Sequence, residues 1–208
     1  MQNCKSKYQI RQVLKEHPGL SYDEQSQMFS GKLTVDEDDY YWVLIDLKPF
    51  PKGFPIVKET HERIKSHIDN HKYSDDSLCL TTPAKEQILL RKGMIKTIPQ
   101  FIDKIVVPFF QNNSFREING YYKKGEFSHG LPGIFESYWE ILGISDIGLA
   151  VEILIKFLKG KTLSVNDPCY CGSHKKFKDC HKHRYDDLKF IDKNMIESDL
   201  NLLMSYIR

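Results

Sequence analysis

The densest chemistry in this chain lies in the stretch DPCYCGSHKKFKDCH, where Cys169, Cys171, Cys180 and His181 offer three thiols and one imidazole. Zinc takes four tetrahedral nitrogen or sulfur ligands, and a site with all four positions filled is structural rather than catalytic. The short Cys-x-Cys turn calls for Gly172 to let the chain fold back. So few apolar residues surround the cluster that metal binding is expected to fold the segment. His174 and His183 compete with His181 as the fourth ligand. The chain has five cysteines, an odd number, and three of them fall between 169 and 180. That pattern favours a metal over disulfides in a reducing compartment. Cys4 lies in a polar N-terminal stretch and is assigned no role.

A second candidate is Cys79, in HKYSDDSLCLTT, with His71 eight positions earlier. A cysteine there can be a packing residue, a metal ligand or a nucleophile. The thiolate is a strong side-chain nucleophile near neutral pH, given access and some activation. A lone cysteine taken by itself is more often a small buried hydrophobe.

These residues need elements to position them. QIRQVLKEH places Ile10, Val13 and Leu14 at helical spacing and predicts a first helix. QMFSGKLTV alternates Phe29, Leu33 and Val35, DEDD makes a turn, and YYWVLIDL is rich in aromatic and β-branched residues. These are two antiparallel strands. Three prolines interrupt KPFPKGFPIVKE, and FPIVKE resumes as an edge strand. RIKSHIDNHKYSDDS has no period and reads as loop. Beyond Cys79, Ile95, Ile98, Ile102, Ile105 and Phe109 form a helical stripe with Pro99 near its start and Pro108 near its end. Residues 111–133 read as a long loop that covers a site or binds a partner. IFESYWEILG is a helix closed by Gly143, and a second follows from Asp146 as N-cap to Gly160. The last stretch is expected to be one amphipathic helix with Leu188, Ile191, Met195, Leu202 and Tyr206 on one face. Strands first and helices after give an α+β class.

Composition narrows the function. With 208 residues, 40% hydrophobic and 28% charged, the chain reads as an ordinary soluble protein with one good core and a small accessory module. A net charge of +2 gives no overall field for nucleic acid or membrane. No signal sequence opens the chain and no apolar run is long enough to span a bilayer, so a cytoplasmic location is the expectation. Lys175, Lys176, Lys178 and Lys182 make a local basic face whose simplest role is to offset the thiolates.

The cysteine cluster, read as Pro168, Cys169, Cys171, Gly172, Ser173, Lys175, Lys176, Phe177, Lys178, Cys180 and His181, closely resembles the SEC-C motif. His174 stands where glycine is usual. The resemblance covers roughly 16 residues and implies structural zinc in a module that docks protein or ribosome-like partners.

The remainder resembles the ubiquitin-conjugating enzyme fold, over residues 5–145. It carries a helix, an antiparallel meander, a proline-rich exit, a polar loop with His71, then LCL around Cys79. HKYSDDSLCL looks like the variant in bacterial relatives. This resemblance implies that Cys79 carries an acyl group as a thioester and passes it to an amine. Asn70, His71 and His67 are candidates to steady the oxyanion or the amine, and His129 is a candidate base. No His-Pro-Asn tripeptide is present, since Asn70 precedes His71, and Asp76 stands where the bacterial turn usually has glycine. Bacterial relatives of this kind accompany antiviral signalling nucleotidyltransferases of the cyclic-oligonucleotide class (CBASS systems). The implied partners are thus a protein with a transferable C-terminus and, for some members, an activating enzyme. Nucleic acid and membrane are not expected.

The chain has no dinucleotide fingerprint and no Walker loop, so an activated donor must come from elsewhere. The expected organisation is a conjugating-like domain at 1–145, a connecting helix at 146–165, a zinc module at 166–183 and a terminal helix at 184–208. Two other readings compete with acyl transfer. One is a non-catalytic adaptor that recruits through the zinc module. The other is a cysteine hydrolase using Cys79 with His71 or His129.

Overall fold

The computed structural model describes residues 2–123, 128 and 130–207, with side chains described from 7 to 205 within those ranges. It is a mixed α+β protein that divides into two compact units, Met1–Thr81 with Gly93–Glu126, and Thr82–Lys92 with Phe127–Arg208. No helix among the described residues is long and apolar enough to cross a membrane.

In the first unit, helix α1 (Gln2–Glu16) precedes a sheet of four strands. These are β1 (Leu20–Asp23), β2 (Met28–Asp36), β3 (Asp39–Asp46) and β4 (Ile56–Glu59), antiparallel and in sequence order. Alternation sends Phe29, Leu33 and Val35 of β2 and Tyr41, Val43 and Ile45 of β3 to the buried face. Gly31 faces Leu20 in the β1–β2 register, and a Cβ there would lie 2.4 Å from the Gly19 carbonyl oxygen. Only glycine allows that close approach at φ 133°.

Helix α3 (Ile98–Phe101) runs through a π-helical segment, Ile102–Val106, into α4 (Val107–Asn119). The helix thus continues across residues read from the sequence as the start of a loop. Two physical effects hid it. Pro108 lacks the N–H of a regular turn and its ring crowds the preceding carbonyl, and the wider π turn, with Val107 N–H on the Ile102 carbonyl, falls just before it. The buried stripe consequently runs Ile98, Ile102, Val106, Phe110, and Ile105 and Phe109 are half-buried. Beyond Phe110 the inner face turns polar. Asn113 and Ser114 are buried because they bond the Tyr41 hydroxyl, at 3.0 and 2.8 Å. Tyr41 itself stacks on Phe110 with ring centroids 4.2 Å apart.

The second unit holds α2 (Pro83–Arg91), α5 (Leu131–Leu142), α6 (Ile147–Leu158), α7 (Lys182–Asp187) and α8 (Lys193–Ile207). Its core gathers Tyr138, Leu142, Leu154, Phe177, Leu188 and Ile196. Gly143 closes α5 in a left-handed conformation, and Asp146 caps α6 by accepting from the Leu149 N–H at 2.8 Å.

The terminal stretch is broken rather than one helix. Asp192 restarts it: its carboxylate accepts from the Asn194 N–H at 2.9 Å and its carbonyl from Ile196 at 3.0 Å. A cap in mid-stripe resets the phase, so Ile196, Leu200 and Leu203 are buried while Leu202 is 44% exposed. The Tyr206 side chain lies outside the described residues.

Candidate functional site

Between α6 and α7 the chain makes a small knuckle. Pro168 and Lys176 form an antiparallel bridge, and the Cys169 N–H donates to the Lys175 carbonyl at 2.8 Å. Gly172 takes φ 74° to reverse the chain, with its N–H on the Cys169 carbonyl at 3.2 Å. A 3-10 turn, Phe177–Asp179, then delivers Cys180 and His181. Phe177, 1% exposed, roots the knuckle in the core of the second unit.

This folding brings together the four residues expected from the sequence. The ligand atoms of Cys169, Cys171, Cys180 and His181 all lie within 4.8 Å of one another. Cys171 and Cys180 sulfurs are 3.6 Å apart, and His181 Nδ1 is 3.4 Å from Cys169 Sγ and 3.1 Å from Cys180 Sγ. A tetrahedral zinc with bonds of about 2.3 Å to sulfur would hold sulfurs about 3.8 Å apart. Donor set and spacing therefore fit a zinc ion bound by these four residues. His174 and His183 lie outside the cluster, and the histidine brought to the three cysteines is His181. His174 instead occupies a left-handed conformation, φ 60°, which accounts for glycine being usual at its place in the motif.

The surroundings suit metal binding. Burial pushes the His181 pKa down, which keeps the imidazole neutral as a ligand, while the Gly143 carbonyl accepts a hydrogen bond from its ring. Burial raises the Cys171 thiol, but hydrogen bonds from Ser173, Cys180 and Cys169 outweigh it and bring it down to about 7. Burial pushes the Cys169 thiol up. The Tyr170 ring, with its centroid 5.3 Å from that of His181, donates its hydroxyl to the Leu142 carbonyl at 2.9 Å. No sequence signal beyond an aromatic between two cysteines marked Tyr170.

Cys79 lies in the first unit, at the end of the loop that follows β4, and is half-buried. The loop is stitched to the strand by a Lys58–Ser77 bridge and by the Leu78 N–H on the Val57 carbonyl at 2.8 Å. The tie between Cys79 and His71 runs through the main chain: the Cys79 N–H donates to the His71 carbonyl at 2.8 Å. His71 is left-handed, φ 54°, and its ring meets Tyr122 edge-on with centroids 5.8 Å apart. Both ends of the Asn70 amide are engaged, Nδ2 with the Lys65 carbonyl at 3.0 Å and Oδ1 with Arg116 at 2.6 Å. His67 Nδ1 accepts from the Asp69 N–H at 3.3 Å and caps the short turn Ile68–Asn70. Cys4 and His129 are outside the described side chains.

Two partners of the loop were not legible as such. The Tyr73 phenol lies close enough to the Cys79 thiol to interact with it, and that interaction, together with burial, pushes the phenol up to about 12. The thiol itself donates to the Thr81 carbonyl at 3.8 Å. Lys72, 2% exposed, is ion-paired with Glu59. Both read from the sequence as ordinary residues of a polar loop.

Against known proteins, residues 166–182 match the family model of the SEC-C motif. No curated protein and no solved structure matches the chain.

Proposed function

We propose that this chain is a ubiquitin-conjugating-like acyl carrier in which Cys79 takes a protein C-terminus as a thioester and passes it to an amine. The observation that carries this reading is the place of Cys79. It sits half-buried at the end of a loop pinned to β4, directly after a helix and a four-stranded antiparallel meander in sequence order.

The chemistry needs little machinery. The Cys79 thiolate attacks the carbonyl of a donor thioester. A C–S bond forms, the donor's C–S bond breaks, and the donor sulfur leaves as a thiolate that takes up the proton Cys79 had released. An amine then attacks the new thioester, forming the amide and releasing Cys79. Exchange between thioesters is nearly isoenergetic, so orientation and oxyanion donors matter more than a strong base. The Tyr73 phenol, which lies beside the Cys79 thiol, serves this reading as the neighbouring donor. Asn70 and His71 serve this reading as the groups that shape the loop through Arg116, Lys65 and the Cys79 main chain. By the resemblance to bacterial conjugating-like proteins, the donor is a signalling nucleotidyltransferase of an antiviral system, activated elsewhere.

The test is intact-mass and non-reducing gel analysis of the protein from its native host, with Cys79→Ala alongside and Cys79→Lys as a stable trap. A reductant-sensitive adduct absent from the alanine variant is expected. No adduct in the trap variant, with genomic neighbours co-expressed, would overturn acyl transfer. A second reading, an adaptor recruiting through its metal module, is favoured by the SEC-C match and would then lead.

A further inference from the structure

Within the second unit, α6 and the metal knuckle border a groove of about 250 Å³. Its lining includes Leu149 and Ile153 of α6, Leu163 and Pro168 from the segment that follows, and the rings of Tyr170 and Tyr185. Both rings are fixed, Tyr170 by its bond to the Leu142 carbonyl and Tyr185 by a bond of 3.1 Å to the Lys161 carbonyl. The volume falls below the roughly 300–1,000 Å³ of sites for drug-sized ligands, which suits a single side chain better than a cofactor.

Charge says what brings that side chain. Residues 156–184 hold eight lysines and arginines against two aspartates, in a chain whose net charge is only +2. Lys156 on the groove is neutralised by Glu152. Lys161, also on the groove, and Lys159, Lys175, Lys176 and Lys178 have no ion-pair partner among the described residues. The main chain brings two of them close: Lys176 bridges to Pro168, and the Lys178 N–H donates to the Val165 carbonyl at 3.0 Å.

We propose that this groove docks an acidic peptide segment of a partner protein, which inserts one bulky apolar side chain and sets its carboxylates against Lys161 and the neighbouring unpaired lysines. The small volume of the groove and the aliphatic surface that Leu149, Ile153, Leu163 and Pro168 contribute beside the two rings favour a side chain over a stacked base. Because Pro168 and Tyr170 belong to the metal knuckle, the site is complete only with the metal in place. The inference is independent of acyl transfer.

The test uses the zinc-loaded full chain carrying Cys79→Ala, so that acyl transfer has no part in the result. The probe is a fluorescein-labelled peptide with one leucine between aspartate pairs, followed by anisotropy. Saturable binding is expected. It should weaken at least tenfold when glycine replaces the leucine, and at least tenfold in Thr162→Trp, which fills the groove from an exposed position. Lys161→Glu should weaken it comparably and flatten its salt dependence. Equal binding of the glycine peptide, or indifference to Thr162→Trp, would reduce the effect to diffuse charge attraction and overturn the groove. Tighter binding of an oligothymidylate of equal charge would overturn the peptide in favour of nucleic acid. Absence of binding would overturn the proposal outright.

Discussion

Lys72 and Glu59 form an ion pair closed off from solvent, with Nζ 3.0 Å from Oε2 and side-chain exposures of 2% and 0%. The Glu59 carboxylate also accepts the His61 N–H at 2.8 Å and the Ile64 N–H at 3.3 Å, and Asp76 approaches Lys72 from the solvent side at 3.3 Å. The pair thus ties the end of β4 to the loop that ends in Cys79. Removing one member leaves a buried charge without its partner, which typically costs about 3–5 kcal/mol. Lys72→Met should therefore destabilise the fold strongly. Adding Glu59→Gln, which removes the charge and keeps an acceptor for one of the two N–H groups, should restore part of the loss. Urea unfolding of the single and double variants measures this. Alkylation of Cys79 in the folded single variant should also change, because its loop loses its anchor.

Zinc should bind at one ion per chain and stay bound when His174 is replaced. His181→Ala and Cys169→Ser should each lose the metal. His174→Gly should retain it and gain on the order of 1 kcal/mol, since glycine relieves the left-handed backbone at φ 60°. Elemental analysis of the purified variants gives the stoichiometry, and thermal melts give the gain. Zinc loss in His174→Gly would reassign the fourth ligand. Chelation should also loosen the core around Phe177, which the knuckle inserts there.

The Cys/His cluster was legible because three cysteines and a histidine in so short a span leave few other uses for them. The strands were legible because one buried face makes Phe29, Leu33 and Val35 alternate. Reading failed where polar groups bury one another. Asn113 and Ser114 look like loop residues until Tyr41, more than seventy positions earlier, supplies their partner. Lys72 looks solvated until Glu59 is placed beside it. The helix that Asp192 restarts shows the same limit, since its cap depends on Gln87 accepting the Asp192 N–H at 2.6 Å. Hydrophobic period carries no trace of such long-range pairs.

Tyr138, buried in α5, donates to the Asp199 carboxylate of α8 at 2.9 Å. Burial raises the Asp199 pKa, a shift the Tyr138 hydrogen bond only partly offsets. A carboxyl raised on folding favours the folded state most fully below its unfolded pKa of 3.8, and that contribution is lost as pH rises through the folded value. Once pH has risen past the folded value, the ionised group is thus a burden. Asp199→Asn keeps an acceptor for Tyr138 and removes the charge. It should leave stability at pH 7 unchanged or slightly higher and flatten the stability profile in the acid range just above pH 3.8, which melts across pH can follow. A steeper profile in the variant would contradict the assignment.

Tyr73 carries the sharpest test of the Cys79 site, because its ring is 45% exposed and little packing depends on it. Its main chain is held by the Ser77 carbonyl at 2.9 Å, by Ser66 at 2.7 Å and by Asp76 at 3.0 Å, so removing the hydroxyl should not move the loop. With the nearby Cys79 thiol and burial holding its pKa up at about 12, the phenol keeps its proton at neutral pH. Tyr73→Phe should keep the melting temperature. It should slow discharge of a Cys79 thioester to a small amine about tenfold, equivalent to about 1.4 kcal/mol of lost transition-state stabilisation. It should also change the rate at which Cys79 is alkylated at a fixed pH, because the phenol beside the thiol is lost. A purely structural tyrosine would move neither readout. An alkylation shift without any thioester would keep Tyr73 as a partner of the thiol while removing acyl transfer, and unchanged alkylation would remove Tyr73 from the site altogether.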